Sequence, residues 1–335
     1  MTSSTQASLA VFAAAAAAAA LSLPAWRSLC ARVHHVDDPG HRKIHARSIP
    51  LAGGFAVATG WLLGALVAWV WAGWVGTAPA GLGVPWSGEE GLRRILVPGI
   101  ATAGILFLGA WDDRRDLGAG WKFLGQTAIA GFVVVWGVPT PMPGGLDAFG
   151  IVLAMLWILG VTNAFNLSDN MNGLCAGLGL VGGGSIWASS LLQPGARPEL
   201  ACAAALVAGG LAGYLPYNYP RASVFLGDAG SQSVGFLLAV LSLQTLPAES
   251  SGPGLSPRAC IGALAPVAVP CIDLVFVTVA RTLRGQPFWI GDTGHLSHRL
   301  SRTRLGKAGA VALLWALAVL LLVLASWIPM SGPGG

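Results

Sequence analysis

Ten apolar runs, each about as long as one membrane crossing, alternate along the chain with short polar segments. They cover residues 8–29, 51–75, 94–111, 122–138, 148–165, 173–192, 200–217, 231–247, 259–280 and 308–330. A hydrocarbon core of ~30 Å asks for about 20 such residues per helix, so the pattern predicts an all-α polytopic membrane protein. No internal repeat or long linker divides it, and residues 1–335 read as a single membrane domain. The alanine-rich run "ASLAVFAAAAAAAALSL" reads as the first span: no basic residues precede it and no clean small-residue cleavage site follows, as a signal peptide would require.

Composition sharpens this picture. Only 10% of the residues are charged, against roughly a quarter in an ordinary soluble domain, and the mean hydropathy is +0.68. The five cysteines show no CxxC and no metal spacing, and read as small buried hydrophobes. Nothing in the net charge of +5 points to nucleic acid.

Charge also orients the chain. Segments 30–50, 112–121, 166–172, 218–230 and 281–307 fall on one side of the membrane and, with residues at span ends assigned to the nearer segment, carry fifteen of the nineteen Lys and Arg residues. The opposite side keeps only Arg93, Arg94, Arg197 and Arg258. Basic loops stay cytoplasmic, which predicts both termini outside. All six histidines fall on the cytoplasmic side and all four glutamates on the outer one, a sharper division than topology alone requires.

The cytoplasmic segments concentrate the polar chemistry. Arg42, Lys43, His45 and Arg47 form a basic patch before "IPLAGG"; lipid headgroups alone would explain such a patch. Asp112, Asp113 and Asp116 stand flush against an apolar run, where a carboxylate is costly unless a cation meets it. Asn163, Asn166 and Asn170 share a helical face beside Asp169, more amides than helix capping accounts for. Asp228 opens another span and by itself could be a cap. His295 and His298 lie one turn apart, followed by Arg299 and Arg302; no third ligand accompanies them for zinc, and an anion suits them better. Separated aspartates suit Mg²⁺, and the neighbouring Arg, Lys and His suit phosphates. Together they predict a Mg²⁺-dependent phosphoryl-transfer site at the inner face, acting on a lipid or lipid-linked substrate.

Five motifs in order, "RKIHARSIPLAGG", "DDRRDLGAGWKFLGQ", "NAFNLSDNMNGL", "FLGDAGSQSVGF" and "PFWIGDTGHLSHRL", spanning about 260 of the 335 residues, resemble those of the polyprenyl-phosphate N-acetylhexosamine-1-phosphate transferases. The resemblance implies ten or eleven spans, a cytoplasmic site in a bacterial inner membrane, and transfer of a sugar-1-phosphate from a UDP-sugar to undecaprenyl phosphate with release of UMP. It implies Mg²⁺, with Mn²⁺ as a substitute, bound by Asp228 with Asn218 beside it. Asp112, Asp113 and Asp169 take the catalytic positions. Arg42, Lys43, His45, Asn163, Asn166, Asn218, His295, His298 and Arg299 take the substrate-binding ones. Homodimer formation is left open. Many members carry a second acid where this chain has Asn172, so metal binding rests mainly on Asp228. "SIPLAGG" and "HLSH" resemble the UDP-N-acetylglucosamine branch more than the muramoyl-pentapeptide branch. Another UDP-hexosamine remains an alternative, as does, from a different class, a ten-helix transporter. Transporters keep their substrate-binding polar groups near the midplane, and the only acid well inside an expected span is Asp273.

Overall fold

The computed structural model describes residues 3–39, 47–74, 89–137, 148–192, 197–246, 256–287 and 294–328. Arg42, Lys43 and His45 lie outside these residues. The described chain is almost entirely helical: α1 (Ser3–Arg32), α2 (Gly53–Trp74), α3 (Glu89–Arg115), α4 (Ala119–Trp136), α5 (Ala148–Ser168), α6 (Leu174–Leu192), α7 (Pro198–Tyr214), α8 (Gly227–Gln244), α9 (Pro257–Leu264), α10 (Ala268–Leu283), α11 (Leu296–Ser301) and α12 (Gly306–Ser326).

Among the described residues every expected span coincides with a helix, and the ninth is split. A 3₁₀ turn at residues 265–267, with Pro266 inside it, separates α9 from α10, because proline cannot donate into a continuous helical ladder. Among the described residues seven helical stretches are long and apolar enough to cross a membrane, by length and composition. α3, α4 and α8 stand outside that count, and each carries charged or amide side chains at one end: Asp112 and Asp113, Lys122 and Gln126, and Asp228 and Gln232. The protein is an all-α polytopic membrane protein.

Small residues set how closely the helices pack. On α1, Ala7, Val11, Ala15, Ala19 and Leu23 recur every fourth position and are all buried. That stripe faces α2 and α7, so the alanine tract that reads as low complexity is a close-packing surface of the kind that brings membrane helices together. Outward faces run the other way: Leu62, Leu63, Leu66 and Trp69 on α2, and Leu320 and Leu324 on α12, are exposed. Such broad apolar surfaces suit contact with lipid rather than with water.

α8 forms the centre, contacting α2, α3, α5, α6 and α7, with nearly all of its residues buried. α2 reaches it through glycine: a Cβ on Gly54 would lie 2.6 Å from Gly230 N and 2.9 Å from Gly230 Cα. Just before α2, the backbone of "IPLAGG" pairs with that of "FLGD". Phe225 N–H donates to Pro50 O at 3.0 Å, Gly53 N–H to Phe225 O at 2.8 Å and Gly54 N–H to Leu226 O at 3.0 Å. A short antiparallel ladder, β1 (Val36–Asp37) with β2 (Ile49–Pro50), closes the same loop. Two motifs about 170 residues apart in sequence are thereby joined through main-chain hydrogen bonds.

Candidate functional site

The site is built on the N-terminus of α8. The first N–H groups of any helix lack intrahelical partners, and Leu226, at the N-cap, offers no side-chain acceptor. Two carboxylates from other elements take that place. Asp113, in the last turn of α3, accepts from Asp228 N–H at 2.8 Å and from Ala229 N–H at 3.1 Å. Asp169, just after α5, accepts from Gly227 N–H. Negative charge is stabilised at a helix N-terminus, so these acids both satisfy the donors and lock α3 and α5 to α8. Burial, then the charge of Asp228, pushes the Asp113 carboxyl up to about 7 even though the two backbone hydrogen bonds pull it down. Burial, with the charges of Asp228 and Asp113 behind it, also raises Asp169 well above the ordinary carboxylate range.

Gly227 makes this cap possible. Its φ of +73° is left-handed, and a Cβ there would lie 2.7 Å from Asp113 Oδ2. Gly227→Ala therefore pays ~1–2 kcal/mol of backbone strain and also pushes Asp113 off the helix end. Thermal unfolding in detergent should show a lower midpoint for this variant; an unchanged midpoint would contradict the capping role.

Asp228 turns its side chain to a cation. Lys122, in the first turn of α4, lies 2.7 Å from Asp112 Oδ2, pairs with Asp228 Oδ2 and donates to Asn166 Oδ1 at 3.0 Å. Asn166 in turn donates to Asp228 Oδ1 at 2.8 Å and to Ser231 Oγ at 3.0 Å. Burial, then the hydrogen bond it gives Asp228, lifts Asp112 to about 6, against the pull of Lys122. Burial opposes ionisation of Asp228 too, but the hydrogen bond from Asp112 and the Lys122 ammonium outweigh it and hold Asp228 below its usual range. Behind this group runs a row of amides: Asn163 donates to Gln126 at 2.8 Å, Gln126 to Gln232 at 2.8 Å, and Gln232 to Asp228 Oδ2 at 3.4 Å.

The expected residues thus divide. Asp112, Asp113, Asp169, Asp228 and Asn166 come together, with Asn163 two amides removed. Asp116 does not join them: with φ +49° it turns the chain at the end of α3, while Leu117 N–H caps Asp112 Oδ1 at 2.8 Å. Asn218 departs from the expected place beside the metal. Its Oδ1 accepts from Gly173 N–H and its Nδ2 donates to Val224 O at 2.9 Å, so the buried amide ties two loops together. His295 is buried against Asp273, 2.7 Å from Nδ1 to Oδ2, and its ring centre is 6.3 Å from that of His298. Arg299 lies 4.7 Å over the Phe276 ring and donates to Gly294 O. Lys122, Gln126 and Gln232 are residues the sequence reading left out. A signal was present, since Lys122 and Gln126 stand four apart at the mouth of an apolar run and so share a helix face.

Among the described residues no three His, Cys, Asp or Glu side chains converge into a metal cage. Mg²⁺ does not need one: it is commonly held by one or two carboxylates, with waters and substrate phosphates completing the shell. Asp112, Asp228 and the Asn166 amide are hard oxygen donors that already surround one cationic group, and they fit such an ion.

The fold and the cluster thus describe a polytopic helical membrane protein with an acid, amide and lysine group at the ends of its central helices. Residues 95–246 match the family model "Glycosyl transferase family 4". The chain is 31% identical over 298 residues to the decaprenyl-phosphate N-acetylglucosaminephosphotransferase of Mycobacterium tuberculosis, covering 82% of this chain and 70% of the relative. It is 29% identical over 285 residues to a probable undecaprenyl-phosphate N-acetylglucosaminyl 1-phosphate transferase of Bacillus subtilis (83% and 72% covered). The undecaprenyl-phosphate alpha-N-acetylglucosaminyl 1-phosphate transferase of Escherichia coli K12 is 26% identical over 313 residues (88% and 77% covered). The chain belongs to the polyprenyl-phosphate N-acetylhexosamine-1-phosphate transferase family, and it is a phosphotransferase.

Proposed function

We propose that this protein transfers N-acetylglucosamine-1-phosphate from UDP-N-acetylglucosamine to undecaprenyl phosphate, releasing UMP, at the cytoplasmic face of a bacterial plasma membrane. The observation that carries the reading is the Asp112–Lys122–Asp228–Asn166 cluster, which pairs cation-holding oxygens with a fixed ammonium. The names of the relatives support both the sugar and the class of lipid. Trp111 and Trp121, both exposed, flank Asp112 and Lys122. Tryptophans of this kind favour the membrane–water interface, the depth at which a lipid phosphate resides. Ten spans with both termini outside, in one domain, agree with the bias of basic residues.

In the reaction an oxygen of the lipid phosphate attacks the sugar-side phosphorus of the UDP-sugar. The bond from that phosphorus to the bridging oxygen breaks, and UMP leaves with the electron pair. Both reactants are anions, so their repulsion is the main obstacle. Bound between Asp228, Asp112 and the Asn166 amide, Mg²⁺ would supply charge neutralisation on the diphosphate. Lys122 adds a second positive charge at the same place. Asp113 and Asp169 act by fixing α8, and thus the position of Asp228. His295, His298 and Arg299 contribute further cationic or hydrogen-bonding groups for the diphosphate or the sugar, and the 42–47 basic patch does so for a phosphate. The lipid phosphate is ionised near neutrality, so no strong general base is required.

The test is label transfer into lipid by purified protein supplied with undecaprenyl phosphate, Mg²⁺ and UDP-[¹⁴C]-N-acetylglucosamine. Solvent-extractable label is expected. Label arriving only from another UDP-hexosamine would overturn the sugar, and none from any UDP-hexosamine would overturn the reaction.

A further inference from the structure

α11 has six residues, too few to hold a helix on their own, yet it carries His298 and Arg299 and follows directly on His295. Its position is imposed from α10. Asp273 and Phe276 are three apart and share a face of that helix. Phe276 lies under Arg299, and Asp273 uses both carboxylate oxygens on the start of α11. Oδ1 accepts from Leu296 N–H at 2.8 Å, and Oδ2 lies 2.7 Å from His295 Nδ1. Ser297, fully buried, donates to Asn170 Oδ1 at 2.7 Å, tying α11 to the asparagine-rich segment that also supplies Asn166 and Asp169.

The His295–Asp273 pair is enclosed, with 4% and 9% of the two side chains exposed. An acid within an expected span is costly, and such residues are characteristically paired and functional. Holding α11 would need only the Leu296 contact; the second oxygen is spent on an imidazole nitrogen. Because Asp273 accepts at Nδ1, the neutral ring carries its proton there, and Nε2 is the nitrogen left to engage anything else.

We propose that Asp273 is a positioning residue: it fixes the Nδ1–H tautomer and the ring orientation of His295, so that Nε2 is the atom offered to the UDP-sugar. This rests on the function proposed above, in which His295 is a substrate contact. It also explains why the late His/Arg segment depends on an acid more than twenty residues earlier in the chain.

Asp273→Asn separates positioning from simple support. The asparagine carbonyl can still accept from Leu296 N–H, while its NH₂ donates to Nδ1 and drives the ring proton to Nε2. ¹⁵N-histidine NMR at about pH 8, above the ordinary histidine pKa of ~6.5, reads this directly, with His295→Gln identifying the resonance. The expected result is Nδ1–H in the wild type and Nε2–H in D273N, with kcat reduced about 10–100-fold, as for other residues that orient a ligating histidine. Adding D273N to H295Q should cost nothing further, because Asp273 acts through the ring. A wild-type ring protonated at Nε2 would overturn the proposal even if D273N failed to fold. So would a flipped tautomer with undiminished kcat, or an additive double variant. Loss of UMP release from the wild type would instead count against the reaction itself, since the tautomer is read without substrate.

Discussion

Asp228→Asn should reduce UMP release by more than the 10²–10³-fold typical of losing one transition-state hydrogen-bond donor, while the protein remains folded. The substitution keeps the shape of the side chain but removes the charge that faces Lys122 and that would hold the metal. Its structural cost is small. Removing one acid from a helix N-terminal turn costs roughly 0.3–1 kcal/mol, Lys122 keeps Asp112 as its partner at 2.7 Å, and the α8 donors remain satisfied by Asp113 and Asp169. Activity and thermal midpoint should therefore part company: the first collapses and the second moves little. A variant within tenfold of wild type would remove Asp228 from the metal-binding position.

Lys122→Met should act on both quantities. Methionine fills most of the volume of lysine but leaves Asp112 and Asp228 facing each other with no ammonium between them. Breaking a fully buried pair costs about 3–5 kcal/mol, and an exposed pair contributes below ~1 kcal/mol. With Asp112 nearly covered and Asp228 partly exposed, the destabilisation should fall between these limits. Activity should drop as steeply as for Asp228→Asn. Added Mg²⁺ should raise the melting midpoint of K122M more than that of the wild type, because the ion then supplies the only cation between the two carboxylates. Equal Mg²⁺ shifts in the two proteins would show that Lys122 and the metal do not share these oxygens.

What the sequence revealed and what it hid follow from range. The helices were legible because a bilayer enforces long apolar runs, and even the proline-broken ninth span was visible as a run. Asp113 was legible as an acid where acids are expensive, and Asp169 and Asp228 through the motifs that carry them. Their partners were not. Asp113 caps a helix that starts more than a hundred residues later, and no local pattern encodes that contact. Lys122 at the mouth of a span reads as a snorkelling side chain until α3 and α8 are placed around it. Asn218 was drawn towards the metal by its motif, whereas its amide satisfies Gly173 and Val224. The two-residue strands of the β1–β2 ladder were too short to leave a periodicity.

The most direct measurement of the central claim is the identity of the nucleotide released when purified protein meets UDP-N-acetylglucosamine with undecaprenyl phosphate and Mg²⁺. Attack at the sugar-side phosphorus yields UMP, and only when both the lipid and the metal are present. Release of UDP would mean that the sugar–oxygen bond is the one broken, and release of UMP without the lipid would mean hydrolysis rather than transfer; either result would contradict the account.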